Sequence, residues 1–275
     1  MIEQVFVNHG AAVFERLEVV RGVYGAALED QPVNILIVGG FGSDVARGAV
    51  TAHLEATENE GRERIAILGA SESTSTTVEA EADALASKRI VLVAPGLKSV
   101  DAVSDTVVDL PPPYLAAVVA GKLSTLAPHV SLTNKTVAVD DLDTRYSSTV
   151  YKNLLQKRVL LVRQKFGFQV VKGITTDTAA FKQISIRRIV DYAKAGVRLG
   201  SDPYIGRLNN TRVRAALKAT LDGFLSQMVQ DEMLVQYSLE VTATRAQEIQ
   251  GIAAVIMTLM PTFSIDFIRV TMNLQ

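Results

Sequence analysis

The chain has 275 residues, 48% of them hydrophobic, and its 28 basic and 29 acidic side chains leave a net charge of −1. That is enough apolar material for one large or two ordinary globular cores, and the even charge balance gives no reason to expect nucleic acid or an anionic membrane as partner. Cysteine is absent, which excludes disulfides and thiolate chemistry. The opening MIEQVFVNHG lacks the basic region and apolar run of a secretory signal, so none is expected. The most apolar stretch, Gly251 to Met260, is about half of the ~20 residues a membrane helix needs, and Pro261 closes it, so no membrane insertion is expected.

Residues 1–28 read as an arm. Short apolar pieces around Val5–Val7 and Val13–Val20 are separated by Gly10, Gly22 and Gly25, without a helical period. From Pro32 the pattern changes. Asn34 to Gly40 (NILIVGG), Arg64 to Gly69 (RIAILG) and Arg89 to Ala94 (RIVLVA) are continuous apolar runs of buried-strand type. Between them, Asp44 to Glu60 and the stretch with Val78, Ala82 and Leu85 inward read as helices. Strands alternating with helices predict a parallel-type sheet covered on its faces, with right-handed crossovers. After Pro95–Gly96 comes a polar connection, then Pro111 to Pro113 leading into a small-residue helix, Tyr114 to Leu126. Strands are expected near Val137 to Val139, Val159 to Val162 and Phe168 to Gly173.

A different style follows. Ile186, Ile189, Val190, Ala193 and Val197 form one helical stripe behind a capping Ser185, and Thr211 to Met228 carries an unbroken i, i+3, i+4, i+7 apolar set. Met233 to Val241 alternates as a half-exposed strand, and Gly251 to Met260 reads as another. The predicted organisation is therefore an arm (1–28), an α/β domain (29–165), an α+β domain (166–262) and a terminal strand or arm (263–275). In that last stretch apolar side chains occupy Phe263, Ile265 and Phe267, then change phase to Ile268, Val270, Met272 and Leu274. One flat strand cannot bury both sets on one face. Either a bulge re-aims it, or the first half pairs in its own domain and the second in another molecule.

Signals for chemistry are weak. Gly39-Gly40-Phe41-Gly42-Ser43-Asp44 follows the first strand as a phosphate-binding turn would, but Val45 stands where the dinucleotide fingerprint needs glycine, and no Walker lysine follows. His9, His53 and His129 lack partners at metal spacing, and Asp140, Asp141 and Asp143 read as a solvated turn. No Gly-x-Ser-x-Gly elbow occurs. No cofactor, metal or catalytic residue is expected. Arg187, Arg188, Arg207, Arg212, Arg214 and Lys218 form a local basic bias, either as solvated helix faces or as a dock for an acidic protein surface.

Five phrases occur together in order: RIVLVAPG (89–96), PPYLAAVVAG (112–121), VVKGITT (170–176), ISIRRIVDY (184–192) and YIGRLNNTRVR (204–214). With the strand-rich end, they resemble the tail sheath proteins of contractile bacteriophages and related injection systems, from about Pro32 onward. The resemblance implies a homo-oligomeric sheath of stacked rings that surrounds a tail tube, meets baseplate and tail terminator proteins, and contracts to drive the tube through a target envelope. It implies an outer α/β domain, an inner tube-proximal domain, and arms that add strands to neighbouring subunits. On it rest Ile2, Val5, Val7, Ile268, Val270, Met272 and Leu274 as inter-subunit strand positions, and Arg214 and Lys218 as tube-contact candidates. It also implies a place in a virion tail assembled in the bacterial host cytoplasm. The alternatives are a nucleotide-using α/β enzyme built on the glycine turn, or a non-contractile tail or baseplate component.

Overall fold

The computed structural model describes residues 33–101 and 103–272, residue 28, and the backbone of 6–8 and 11–14. Contacts divide the chain into a first unit, residues up to Arg187 together with those from Ser264 onward, and a second, Arg188–Phe263.

The first unit is built on β1 (Phe6–Asn8), β2 (Ala11–Phe14), β3 (Ile35–Val38), helix α1 (Ser43–Asn59), β4 (Ile65–Gly69), α2 (Ser75–Leu85) and β5 (Ile90–Ala94). A side excursion follows, comprising β6 (Leu97–Asp101), β7 (Thr106–Leu110), α3 (Pro112–Ser124), the two-residue β8 (Asp141–Leu142) and α4 (Ser148–Gln156). The chain then returns through β9 (Val159–Gln164) and β10 (Phe168–Val170). Seven of these strands make one sheet in the order β1-β2-β3-β4-β5-β9-β10. Its centre, β2 to β9, is parallel, and both outer strands run antiparallel.

Period-2 alternation explains the layers. Ile35, Ile37, Ile65, Ile67, Val91, Val93, Leu160 and Val162 pack in one cluster with Leu115, Val119 and Leu123 of α3. The intervening residues turn the other way: Leu36, Val38, Ala66 and Leu68 meet α1, while Leu92, Ala94, Val159 and Leu161 meet α2 and α4. Both faces are therefore buried, which is why these strands read as continuous apolar runs. At Gly69 the start of α3 comes so close that a Cβ there would lie 2.1 Å from the backbone nitrogen of Pro113.

Beneath α1 lies a buried cation. Arg64 donates through Nη1 to His53 Nε2 at 2.7 Å and through Nη2 to the Leu28 carbonyl at 2.6 Å. Burial, and secondarily the Arg64 charge, lower the His53 pKa to about 4, against about 6.5 in the unfolded chain. Between those values the unfolded chain binds the extra proton, so stability falls as pH drops from 6.5. Glu58, held by Arg89 at 2.8 Å and Lys88 at 3.0 Å, has its pKa lowered to about 2, so its stabilising contribution is lost only below about 4.5. Urea unfolding between pH 6.5 and 4.5 should therefore show a loss of ~1 kcal/mol per pH unit. His53→Gln, which still accepts from Arg64, should flatten that slope.

The second unit takes α5 (Ile184–Ser201) from Arg188 onward, then α6 (Thr211–Gln230), β11 (Leu234–Thr242), α7 (Arg245–Ile249) and β12 (Ala254–Pro261). Asn210 caps α6 by accepting from the Val213 N–H at 2.9 Å. Leu217, Leu221, Leu225 and Met228 of α6 form one core with Ile189, Ala193, Val197, Leu234 and Leu239.

Several expectations need correction. The boundary expected at 165/166 falls inside the β9–β10 hairpin, whose strands pair with each other, so the first unit runs on to Arg187. The polar connection after Gly96 contains a hairpin, β6–β7, joined by β8 into a three-stranded sheet. Near Val137 only an isolated bridge, Thr136 to Gln169, forms. Val7 stands opposite Ala12 of its own chain, so Phe6–Asn8 is not simply lent to a neighbour, although β1 is the outermost strand of the order. Ile2 and Val5 lie outside the described residues, as does Leu274.

Phe263–Phe267, expected to pair in the subunit's own sheet, forms no strand. The polar side chains of Ser264 and Asp266 take the inward places, and a side-chain amide holds the backbone instead of a neighbouring strand.

Candidate assembly surfaces

The glycine turn is already filled. Gly40 uses its freedom at φ +75°, and a Cβ at Gly42 would lie 2.5 Å from Ser71 Cα. Around the first turn of α1, the Ser43 hydroxyl donates to the Glu81 carboxylate at 2.5 Å, and the Ser71 N–H donates to both of its oxygens at 3.1 and 3.2 Å. The Ser71 hydroxyl donates to it as well. A carboxylate from α2 thus occupies the space beside the glycine turn and takes the Ser43 hydroxyl and the Ser71 N–H, where a bound phosphate would have to compete with it. In the acidic run, Asp141 pairs with Arg145 at 2.9 Å and Asp143 accepts from Ser73. Among the described residues, no group of three His, Asp or Glu side chains is placed to hold a metal.

The C-terminal segment of the first unit behaves differently from the rest of the chain. Gln183, only 8% exposed, donates through Nε2 to the Ser264 carbonyl at 3.0 Å and to Asp266 at 3.0 Å. Its Oε1 accepts from the Ser264 N–H and hydroxyl, each at 3.1 Å. Lys172 pairs with Asp266 at 3.1 Å, and Thr133 donates to it at 3.3 Å. Beyond this anchor, no described residue hydrogen-bonds to Phe267–Met272. Phe267, Ile268, Val270 and Met272 are 77, 78, 77 and 81% exposed. This is an exposed run of large apolar side chains whose described backbone N–H and C=O groups have no partner.

In the second unit, β11 and β12 form a two-stranded antiparallel sheet. Leu234 and Leu239 turn into the core, whereas Val235, Ile256 and Met260 are at least half exposed. Among the described strands nothing pairs with either edge of this sheet, which packs by one face against α6.

The basic residues do not form one patch. Arg187 is buried, its guanidinium 4.2 Å from the centre of the Phe181 ring, and Arg207 lies over Tyr204. Arg214 pairs with Glu248 at 2.9 Å and donates to Asn209 Oδ1 at 2.9 Å. Arg214, followed by Arg245, holds the Glu248 carboxyl below the usual carboxylate range. Arg214 thus ties α6 to α7 beside a surface cavity of about 550 Å³, while Lys218 one turn further on is exposed.

Comparison with known proteins finds one family model: residues 176–275 match the phage tail sheath C-terminal domain. This stretch is similar to a sheath C-terminal domain. It contains Gln183, all of the second unit and the exposed segment. The fold as a whole is that of contractile sheath proteins. A chain of the anti-feeding prophage baseplate matches 93% of this chain over 72% of its own length, with a TM-score of 0.75 at 16% identity. The contracted sheath complex of an extracellular contractile injection system, PVC, matches over 90% and 74%, also at 0.75 and 16%. The crystal structure of a sheath tail protein from Desulfitobacterium hafniense matches over 87% and 59%, at 0.64 and 16%. No curated protein matches by sequence.

Proposed function

We propose that the chain is the structural subunit of a contractile tail sheath. It polymerises as stacked rings around a tail tube, between baseplate and terminator proteins, and contracts to drive the tube through a target envelope. The carrying observation is the exposed, unpaired apolar segment Phe267–Met272 in a chain with the sheath fold. Ile268, Val270, Met272 and Leu274 are assigned to a strand lent to a neighbouring copy, whose open two-stranded sheet β11–β12 offers edges to receive it. Ile2 and Val5 belong by the same reading to a second arm. Main-chain pairing survives while side-chain contacts between subunits rearrange, so such links hold a polymer together through a large movement. The subunit's work is mechanical rather than catalytic, in a virion tail assembled in the bacterial host cytoplasm.

Negative-stain microscopy of the purified chain should show hollow ribbed tubes. Isolated rings would favour a baseplate component, and monomers alone at high concentration would overturn the reading. Lys218 is retained as a tube contact, whereas Arg214 is engaged within its own unit. If Lys218→Glu coats tail tubes as the native chain does, the Lys218 contact falls.

A further inference from the structure

A strand's side chains alternate between faces, so a slip of one residue exchanges every side chain on one face for those on the other. In the C-terminal segment the slipped set would be Arg269, Thr271 and Asn273 in place of Ile268, Val270 and Met272. A lent strand therefore needs something in the lending subunit that fixes where it begins.

Gln183 meets that need. Its amide engages both the N–H and the C=O of Ser264, which is what a paired residue does across a sheet ladder. Its Nε2 also reaches Asp266, and Lys172 and Thr133 hold that carboxylate from other sides. The partners are tied together: Thr133 Oγ1 accepts from the Gly173 N–H at 3.1 Å, and the Gly173 carbonyl accepts from the Ile184 N–H at 3.2 Å, beside Gln183 itself. Beyond the clamp, residues 267–275 can reach ~30 Å when extended.

We infer that Gln183 is a positioning residue for strand lending. It fixes the register and departure point of the C-terminal segment, so that the apolar set is offered to the neighbour and load on the lent strand is delivered to the first unit. This rests on the sheath reading.

The test compares Gln183→Leu, Gln183→Glu, and Gln183→Glu with Asp266→Asn in the full chain. In Gln183→Leu, Ser264 amide exchange in the unassembled protein should speed up about tenfold with the loss of its partner. Its melting temperature should stay put, and its tubes should be irregular and dissociate at lower urea. Gln183→Glu keeps the acceptor for the Ser264 N–H but loses the donor to the Ser264 carbonyl and sets two carboxylates together, so its tubes should also be irregular. Adding Asp266→Asn lets the residue 266 amide donate to the residue 183 carboxylate, which still accepts from the Ser264 N–H, and should restore tube order, a rescue that a merely space-filling role would not show. Unchanged Ser264 exchange, or normal tubes despite fast exchange, would overturn the assignment. If Gln183→Leu does not fold, Asp266→Ala is read for the same two quantities. Failure of the native chain to form tubes would sink the sheath reading instead, and the exchange measurements would still decide whether the clamp holds Ser264.

Discussion

A chain ending at Phe267 should fold and melt like the intact protein, yet form no tubes. The first half follows because no described residue hydrogen-bonds to Phe267–Met272, whose side chains stand in solvent. Among the described residues, no hydrogen bond of the subunit is lost when Ile268–Met272 is removed. The second half follows from what the segment gains on pairing. Each large apolar side chain moved from water into an interface contributes about 1.5–3 kcal/mol, and Ile268, Val270, Met272 and Leu274 would contribute together in every subunit. A polymer multiplies that loss along its length. Circular dichroism and calorimetry check the fold, and sedimentation with microscopy checks assembly. Normal tubes from the truncated chain would refute strand lending.

Gly69→Ala should be the most damaging small change in the first unit. The added methyl would lie 2.1 Å from Pro113 N and 2.3 Å from Pro112 C. These are backbone atoms at the start of α3, and they cannot swing aside as a side chain can. Either β4 or α3 must shift, at the expense of the cluster that Ile65 and Ile67 make with Leu115 and Val119. The expected cost is about 3 kcal/mol or more, seen as a melting temperature lower by roughly 5–10 °C. Gly121→Ala is the control. It lies within α3 with nothing inside 4 Å of its added Cβ, and should stabilise by ~0.5–1 kcal/mol.

The parts legible in the sequence were those where one physical pattern dominated. NILIVGG, RIAILG and RIVLVA could only be strands buried on both faces, and the 3.6-residue stripe of Thr211–Gln230 could only be a helix laid on a core. The hairpin β6–β7 was missed because Lys98, Asp101 and Asp109 break the apolar alternation, leaving Val100 and Val107 as an exposed cross-strand pair. At the C-terminus the phase change was visible, but attention to the apolar set hid the polar one. Ser264 and Asp266 alternate with Phe263, Ile265 and Phe267, and it is the polar pair that faces inward. Their partner Gln183 left no signal, because a side-chain amide meeting a backbone 81 residues away has no local pattern.

The carboxylate of Glu81 has a wider meaning for what this architecture can do. In many open α/β sheets the space beyond the carboxyl ends of the strands is left for a guest. Here the turn after β3 and the loop after β4 close on the Glu81 side chain supplied by α2. The Ser43 hydroxyl and the Ser71 N–H and hydroxyl are used to fasten one helix to two loops. Where such a fold ordinarily leaves a vacancy, this one holds a cross-brace between α1, α2 and the loop after β4.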